Sequence, residues 1–252
     1  MTLIVGLQYQ DGLIFAADTQ VGQLIPGQAY LTKSTRKRKV RTFSLGTLHG
    51  AIGGSGPVAM IEKNMDLFET SLLEKSLHGK HSKSVDIDKV VTLCEDCTKE
   101  INDRYGSRTR GEELCFMLGL LDEKHGVSKL FTIAREGVAT PEDYYAIIGD
   151  GRLYAEYIMY SLYRQDVSRD DAAAIAIYCL FEVQKIDRAV GEEQIVWEVG
   201  SSEPIDIAGL VKIVKRRAWL DVCLWHALIT GRCQETEIRE LLSKSGIAVP
   251  DA

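Results

Sequence analysis

Apolar and polar residues follow two periodicities along the chain, and each predicts a different kind of element. At the start, apolar runs at 3–9 and 13–17 are rich in strand-forming residues and are separated by Gln10-Asp11-Gly12. Because Asp-Gly tolerates the positive φ of tight primed turns, this stretch predicts a β-hairpin. Comparable runs predict a strand pair through 40–52 and further strands at 115–121, 130–134, 144–148 and 194–199.

Apolar residues at helical spacing predict helices at 57–75, 86–105, about 152–163 and 168–186. Pro57 suits the first turn of a helix, because its ring presets φ and its missing N–H is not needed there. Ser168, followed by Asp170 and Asp171, is typical of a capped helix start. The last fifty or so residues also have a mainly helical pattern.

The order of these elements is strands, two helices, strands, two helices, a strand and a helical tail. That order predicts an α+β fold in which two antiparallel sheets carry helices on their outer faces. Neither an internal repeat nor a linker interrupts the 252 residues, so we expect one domain covering 1–252.

Composition narrows the classes of function. The chain is 45% hydrophobic and carries a net charge of −6, which argues against a general affinity for nucleic acid. A basic run at 33–41 could by itself be a nucleic-acid patch or a targeting signal, but no aromatic residues interleave with its charges. No apolar run approaches the roughly 20 residues that a membrane span requires. No basic stretch precedes an apolar core at the start, as it would in a signal peptide.

The cysteines and histidines argue against a disulfide framework and against a metal site. The six cysteines are scattered through mostly apolar segments, which predicts buried free thiols in a reducing cytosol. Cys94 and Cys97 form a single pair on a helical stripe, whereas a structural zinc site needs four ligands. The histidines are dispersed, so we predict no metal, and we predict no cofactor. The predicted free thiols favour a cytoplasmic location.

The hairpin carries two residues whose positions favour chemistry. Thr2 becomes the first residue if Met1 is removed, and its small side chain is compatible with that removal. Threonine at position 2 is common in proteins, so its position alone is weak evidence. Asp18 ends the second predicted strand, and an antiparallel hairpin returns that end to the start of the first strand.

These residues carry a resemblance to a known family. Thr-x-x-Val-Gly from Thr2, the Asp-Gly turn and Ala-Ala-Asp-Thr at 16–19 resemble the start of a mature proteasome β-subunit and, more distantly, of the bacterial HslV peptidase. The resemblance implies an N-terminal-nucleophile hydrolase with a four-layer αββα sandwich. It covers about 2–200 and leaves an extra, mainly helical segment at about 201–252 unexplained. It also implies a homo-oligomeric ring that encloses the active sites.

The resemblance implies that the Thr2 hydroxyl is the nucleophile and that the α-amine of the same residue is its base. A threonine hydroxyl is a poor nucleophile unless a base lies beside it. An α-amine has a reference pKa of about 7.7–8.0, so a modest shift makes it a neutral base near pH 7.

A lysine near the amine would disfavour its protonation, and Asp18 would hold that lysine charged. Asp18 lies at the family's spacing from the nucleophile, but Lys33, Lys37 and Lys39 all compete for the lysine's role. We choose Lys39 because its spacing to Gly53 matches that between the family's lysine and its glycine loop. Gly53 would supply the N–H that stabilises the oxyanion, since glycine allows a substrate carbonyl to approach closely and a helix start follows.

Two further aspartates complete the implied site, and each lies next to a departure from the family. Asp150, in Ile-Gly-Asp-Gly, stands where the family has a serine that positions the amine and a water. Asp187 resembles the second catalytic aspartate, but the serine expected three residues later is Val190. The resemblance therefore implies an altered supporting network.

We expect a threonine-type peptidase that hydrolyses peptides or unfolded proteins inside a ring. Two alternatives stay open at this point. One is a non-catalytic ring subunit that keeps the fold, which Asp150 and Val190 favour. The other is an N-terminal-nucleophile amidohydrolase that acts on small amides.

Overall fold

The computed structural model describes residues 3–19, 23–25, 28–31, 39–78, 86–106, 114–187, 190–191 and 193–214. The strands in these ranges are β1 (Leu3–Tyr9), β2 (Gly12–Asp18), β3 (Gln23–Ile25), β4 (Gln28–Leu31), β5 (Val40–Leu45), β6 (Leu48–Ser55), β7 (Cys115–Asp122), β8 (Val127–Ala134), β9 (Ala139–Glu142), β10 (Tyr145–Gly149) and β11 (Gln194–Glu198). The helices are α1 (Val58–His78), α2 (Ile87–Tyr105), α3 (Arg152–Leu162) and α4 (Arg169–Ile186).

Two antiparallel sheets form the middle of the molecule. One has the strand order β10-β1-β2-β11 and the other has the order β5-β6-β7-β8-β9. The short strands β3 and β4 pair with each other. The predicted hairpin is present as β1 and β2, with Tyr9 opposite Gly12 and Ile4 opposite Ala17.

Three hydrophobic clusters define four layers. Leu3 and Ile177 belong to the cluster between the four-stranded sheet and the helices α3 and α4. Phe68 and Phe116 belong to the cluster between the five-stranded sheet and the helices α1 and α2. Phe15 belongs to the third cluster, which fills the space between the sheets. The order helix, sheet, sheet, helix confirms the predicted αββα sandwich.

Strand β1 is apolar at consecutive positions because both of its faces are buried. Leu3, Val5 and Leu7 pack towards the helices, whereas Ile4 packs between the sheets. A strand that is covered on both sides loses the alternation of apolar and polar residues that marks a half-exposed strand.

The structure differs from the sequence prediction at several element boundaries, and it contains strands β3, β4 and β9, which were not predicted. Strand β6 continues to Ser55 instead of ending at residue 52, and α1 continues to His78 instead of ending near residue 75. Strand β9 was not predicted, because Pro141 within a short run favours a turn. Proline is tolerated here because β9 is an edge strand of its sheet.

The predicted helical tail is described only in part. Residues 208–214 are helical, and 215–252 lie outside the described residues. Among the helices in the described ranges, none combines the length and the apolar character needed to cross a membrane.

Candidate active site

Asp18 is the centre of a buried cluster where β1 begins and β2 ends. The residue is 1% exposed. Its Oδ1 accepts a hydrogen bond from the Leu3 N–H at 2.8 Å, and its Oδ2 accepts from Lys39 Nζ at 2.8 Å and from the Gly191 N–H at 3.0 Å. These partners, all within the described residues, are donors, which suits the acceptor oxygens of a carboxylate.

Lys39 immediately precedes β5, and its side chain reaches the Asp18 carboxylate. It is 8% exposed and forms a buried ion pair with Asp18. Burial lowers the pKa of Lys39 from its ordinary value, while the charges of Asp18 and Asp150 act in the opposite direction. Of the three lysines that the sequence offered, Lys33 and Lys37 lie outside the described residues.

Gly53 lies within β6, not in the turn after it as the sequence analysis assumed. It is opposite Val40 on one side and opposite Met117 on the other. A Cβ at this position would lie 2.8 Å from Ile4 Cδ1, so the absence of a side chain lets the two sheets approach closely here. Val40 directly follows Lys39 and is paired with Gly53. This pairing therefore places Gly53 near the Asp18–Lys39 ion pair.

Asp150 lies in the turn between β10 and α3, and Asp187 lies against the next residue of that turn, Gly151. The charge of Asp150 acts on Lys39, so the aspartate lies within electrostatic range of the ion pair. Gly151 has φ of 75°, a conformation that favours glycine, and a Cβ there would lie 3.7 Å from Asp187 Oδ2. Val190 is 2% exposed and donates its N–H to the Asp187 carbonyl at 3.1 Å. It supplies no hydroxyl where the resemblance implies a serine.

The described residues therefore bring most of the implied site to one end of the two sheets. Thr2 itself lies outside the described residues. Leu3, which follows it in the sequence, bonds to Asp18 and is the ladder partner of Gly149. Asp150 comes directly after Gly149, at the end of β1 where Thr2 joins the strand.

Among the donors to Asp18 that the described residues provide, sequence reasoning missed two. Both are backbone N–H groups, from Leu3 and Gly191, and a backbone donor leaves no signature in residue type. The only available signal was Gly191 itself, which ends the segment that resembles the family's second aspartate.

The cluster can orient and tune a neighbouring group. An ammonium held beside a carboxylate keeps a fixed positive charge near the start of β1, and such a charge disfavours protonation of a nearby amine. Among the described residues, no group of three or more His, Cys, Asp or Glu side chains is arranged to hold a metal ion.

Comparisons with known proteins agree with this architecture. The family model described as "Proteasome subunit" matches residues 2–199. The chain is 30% identical over 198 residues to proteasome subunit beta 2 of Pyrococcus furiosus, and this alignment covers 77% of the chain and 85% of the relative. It is 21% identical over 192 residues to proteasome subunit beta of Streptomyces griseus, which covers 75% of the chain and 63% of that protein.

Solved structures share the fold at lower identity. Anbu (ancestral beta-subunit) from Yersinia bercovieri superposes with a TM-score of 0.72 at 18% identity, covering 89% of this chain and 97% of that one. A helical assembly of the Anbu complex from Pseudomonas aeruginosa gives a TM-score of 0.69 at 17% identity, covering 92% and 97%. At these identities the likeness shows the fold alone.

Proposed function

The chain belongs to the proteasome subunit family, and from this membership we propose that it is a threonine-type peptidase whose nucleophile is the Thr2 hydroxyl. The observation that carries the proposal is the buried Asp18–Lys39 ion pair at 2.8 Å. The same carboxylate accepts a hydrogen bond from Leu3, the residue bonded to Thr2. Burying two charges away from solvent costs free energy of folding. The position of this ion pair beside the N-terminal strand therefore favours a functional role.

In the proposed mechanism, removal of Met1 frees the α-amine of Thr2. The neutral amine takes the hydroxyl proton while Oγ attacks the peptide carbonyl carbon, and the Gly53 N–H stabilises the oxyanion. The C–N bond then breaks, and the ammonium returns the proton to the departing amine. Water, deprotonated by the same amine, hydrolyses the ester and releases the carboxylic acid.

Lys39 and Asp150 have opposite effects on the amine in this mechanism. The Lys39 ammonium disfavours a second positive charge on Thr2, and Asp18 holds that ammonium in place. Asp150 accepts a hydrogen bond from the amine, as the family's serine does, but its negative charge favours the protonated form. We propose that Asp187 positions the turn that carries Asp150, since it lies against Gly151.

We further propose that the chain acts in the cytoplasm on peptides or unfolded proteins, as part of a homo-oligomer. The family relationship supports assembly, and the fold is shared with an Anbu complex from Pseudomonas aeruginosa described as a helical assembly. A non-catalytic subunit is the second candidate, because Asp150 and the buried Val190 replace two hydroxyls.

The test is hydrolysis of a panel of fluorogenic peptides by the wild type and by Thr2→Ala, Thr2→Ser and Thr19→Ala. We expect Thr2→Ala to abolish turnover, because no hydroxyl remains to attack. Thr2→Ser should keep measurable activity, since it retains the hydroxyl, and Thr19→Ala should behave like the wild type. Equal turnover in the wild type and Thr2→Ala would refute the proposal, and an inactive wild type would favour the non-catalytic subunit.

A further inference from the structure

A cavity of about 670 Å³ opens where the two sheets end at their β9 and β10 edges. Its walls come from these two edge strands, from β7 and β8, and from one face of α3. Neither Asp18 nor Lys39 lines it, so the cavity is separate from the candidate active site. Its volume falls within the range of about 300–1,000 Å³ that is typical of small-molecule sites.

Glu142 places a carboxylate in the wall of this cavity without a cation beside it. The residue is half-buried, and its Oε1 accepts a hydrogen bond from the Thr132 hydroxyl at 2.7 Å. Its backbone carbonyl accepts from the Gln8 side chain at 3.0 Å, which holds the end of β9 in place. Within the described ranges, no lysine, arginine or histidine forms an ion pair with Glu142. A partly desolvated charge of this kind is stabilised by a ligand that brings the opposite charge.

Arg135 supplies the opposite charge in the same cavity. Its Nε donates to Asn102 Oδ1 at 2.6 Å and its Nη2 donates to the Gly106 carbonyl at 2.6 Å, so the side chain is docked on the end of α2. Both acceptors are neutral, and in the part of the chain that the structure describes no carboxylate pairs with Arg135. Because a guanidinium carries five N–H donors, further donors remain for a bound anion.

The other charged residues of the cavity do not compensate these two. Arg152 and Glu156 form an ion pair with each other at 2.6 Å. Glu136 lies at an exposed position, where water screens its charge. The cavity therefore combines one anionic and one cationic group that each lack a charged partner among the described residues.

The strand register gives the separation of the two charges. Arg135 follows Ala134, and the Glu142 carboxylate bonds to Thr132, two residues earlier on β8. Residues two apart on a strand are about 7 Å apart, so the charges are separated by roughly 7–10 Å. An extended chain spans at most about 3.5 Å per residue. A single amino acid is therefore too short to meet both charges with its two ends, whereas two or three residues are long enough.

We propose that this cavity binds the two free ends of a short peptide of two or three residues, with the α-carboxylate at Arg135 and the α-ammonium at Glu142. A purely anionic or purely cationic ligand satisfies one of the two groups, whereas a zwitterion satisfies both. The hydroxyls of Thr132 and Thr140 also line the cavity, and each can donate or accept a hydrogen bond to the peptide backbone. The inference does not rest on the proposed peptidase activity, although a short peptide is the kind of product that such an enzyme releases.

Calorimetric titration of the full-length Thr2→Ala chain with trialanine tests the proposal, because this variant lacks the proposed nucleophile and cannot consume the peptide through it. The side chains of trialanine are uncharged, so only its two ends carry charge. We expect trialanine to bind, and N-acetyl-trialanine and trialanine amide to bind roughly tenfold more weakly, since each has lost one charged end. Free alanine should also bind more weakly. Equal affinity for the free and blocked peptides, or no binding of trialanine, would overturn the proposal.

Matched substitutions in the same background assign each end of the peptide. Glu142→Gln keeps the shape and removes the charge, and Asp143→Asn makes the same change at the exposed neighbouring residue, which does not line the cavity. We expect Glu142→Gln to weaken trialanine binding roughly tenfold but to leave N-acetyl-trialanine unaffected, because that peptide has no ammonium to lose. Arg135→Gln should show the same pattern with trialanine amide, and Asp143→Asn should change nothing.

Equal losses for the free and the blocked peptides in these variants would show that the two residues do not meet the peptide ends, and the proposal would be wrong. Thermal melting identifies a variant that has unfolded. The comparison of free with blocked peptides needs neither variant, so it decides the question even if one of them does not fold.

Other results separate this site from its rivals. If a second copy of the chain or its own segment at 215–252 fills the cavity, trialanine does not bind there and the proposal is wrong. If trialanine binds as expected but the wild type hydrolyses no peptide, the peptide site stands and only the peptidase proposal fails. If peptides are hydrolysed but trialanine affinity is unchanged by Glu142→Gln and Arg135→Gln, this proposal alone fails.

Discussion

Replacing Asp18 by asparagine tests the buried cluster at its centre. The two side chains have the same shape, but asparagine offers one acceptor oxygen and one N–H donor group where aspartate offers two acceptors. Since Leu3, Lys39 and Gly191 all donate to Asp18, the new amide must face at least one of them donor to donor. In addition, the ammonium of Lys39 remains buried and loses the carboxylate with which it forms an ion pair.

The expected loss is large because one partner of a buried ion pair is removed. Such changes cost about 3–5 kcal/mol of unfolding free energy. For a chain of this size, each kcal/mol lowers the melting temperature by about 2–4 °C, so Asp18→Asn should melt roughly 6–20 °C below the wild type. Calorimetry at fixed protein concentration measures this shift, since assembly makes the melting temperature concentration-dependent.

A matched control variant and a double variant test whether the loss comes from the buried ion pair. Asp11→Asn makes the same change in the exposed hairpin turn, where Asn-Gly is as suitable as Asp-Gly, and should shift stability by less than about 0.5 kcal/mol. Adding Lys39→Met to Asp18→Asn removes the buried cation that has lost its ion-pair partner, so the double variant should be more stable than Asp18→Asn alone. A loss for Asp18→Asn no greater than for Asp11→Asn would refute the reasoning.

Two further predictions concern other parts of the molecule. Asp150→Ser removes a negative charge that favours the protonated Thr2 amine, so the acidic limb of the pH–rate profile should move to lower pH by about 0.5–1 unit. The control Asp143→Ser, at an exposed position, should leave this limb unmoved. An unmoved limb in Asp150→Ser would contradict the role given to Asp150. Tyr9→Phe removes the 2.6 Å hydrogen bond to Glu198 and should cost about 1–2 kcal/mol in thermal or denaturant unfolding. Burial by itself raises the pKa of Glu198, but hydrogen bonds from Arg169 and Tyr9 hold this pKa below its ordinary value. The stabilisation is therefore present above the ordinary carboxyl range, and the stability lost in Tyr9→Phe should shrink as the pH falls through the folded-state pKa. An equal loss of stability at acidic and neutral pH would contradict this prediction.

Local pattern predicted most elements of the fold, but it missed β3, β4 and β9 and some of the ends. The hairpin was predictable because Asp-Gly sets its turn and apolar runs flank it. The end of β6 was not, because Gly53 and Gly54 resemble a turn in sequence. They belong to a strand here and must be glycine, because Ile4 beside Gly53 and Phe116 beside Gly54 occupy the space that a Cβ would need. Contacts of this kind come from distant parts of the chain, so local sequence cannot reveal them.

The sequence allowed the side chains of the candidate site to be predicted, but not the backbone N–H groups that donate to Asp18. Spacing favoured Lys39 as a partner of Asp18, and the structure brings these two residues together although they are 21 positions apart. The donors from Leu3 and Gly191 escaped prediction because every residue except proline carries the same N–H group. The catalytic roles themselves stay predictions, since the proposed nucleophile Thr2 lies outside the described residues.

The central claim is that a freed Thr2 amine and hydroxyl together perform the chemistry. An epoxyketone probe tests it most directly, because full reaction requires both groups on one residue. Purified wild type and Thr2→Ala are treated with the probe, and the N-terminal peptide is mapped by mass spectrometry. We predict that the wild type lacks Met1 and carries one adduct on Thr2, while Thr2→Ala carries none. A retained Met1, or a wild type that the probe does not modify at Thr2, would contradict the account.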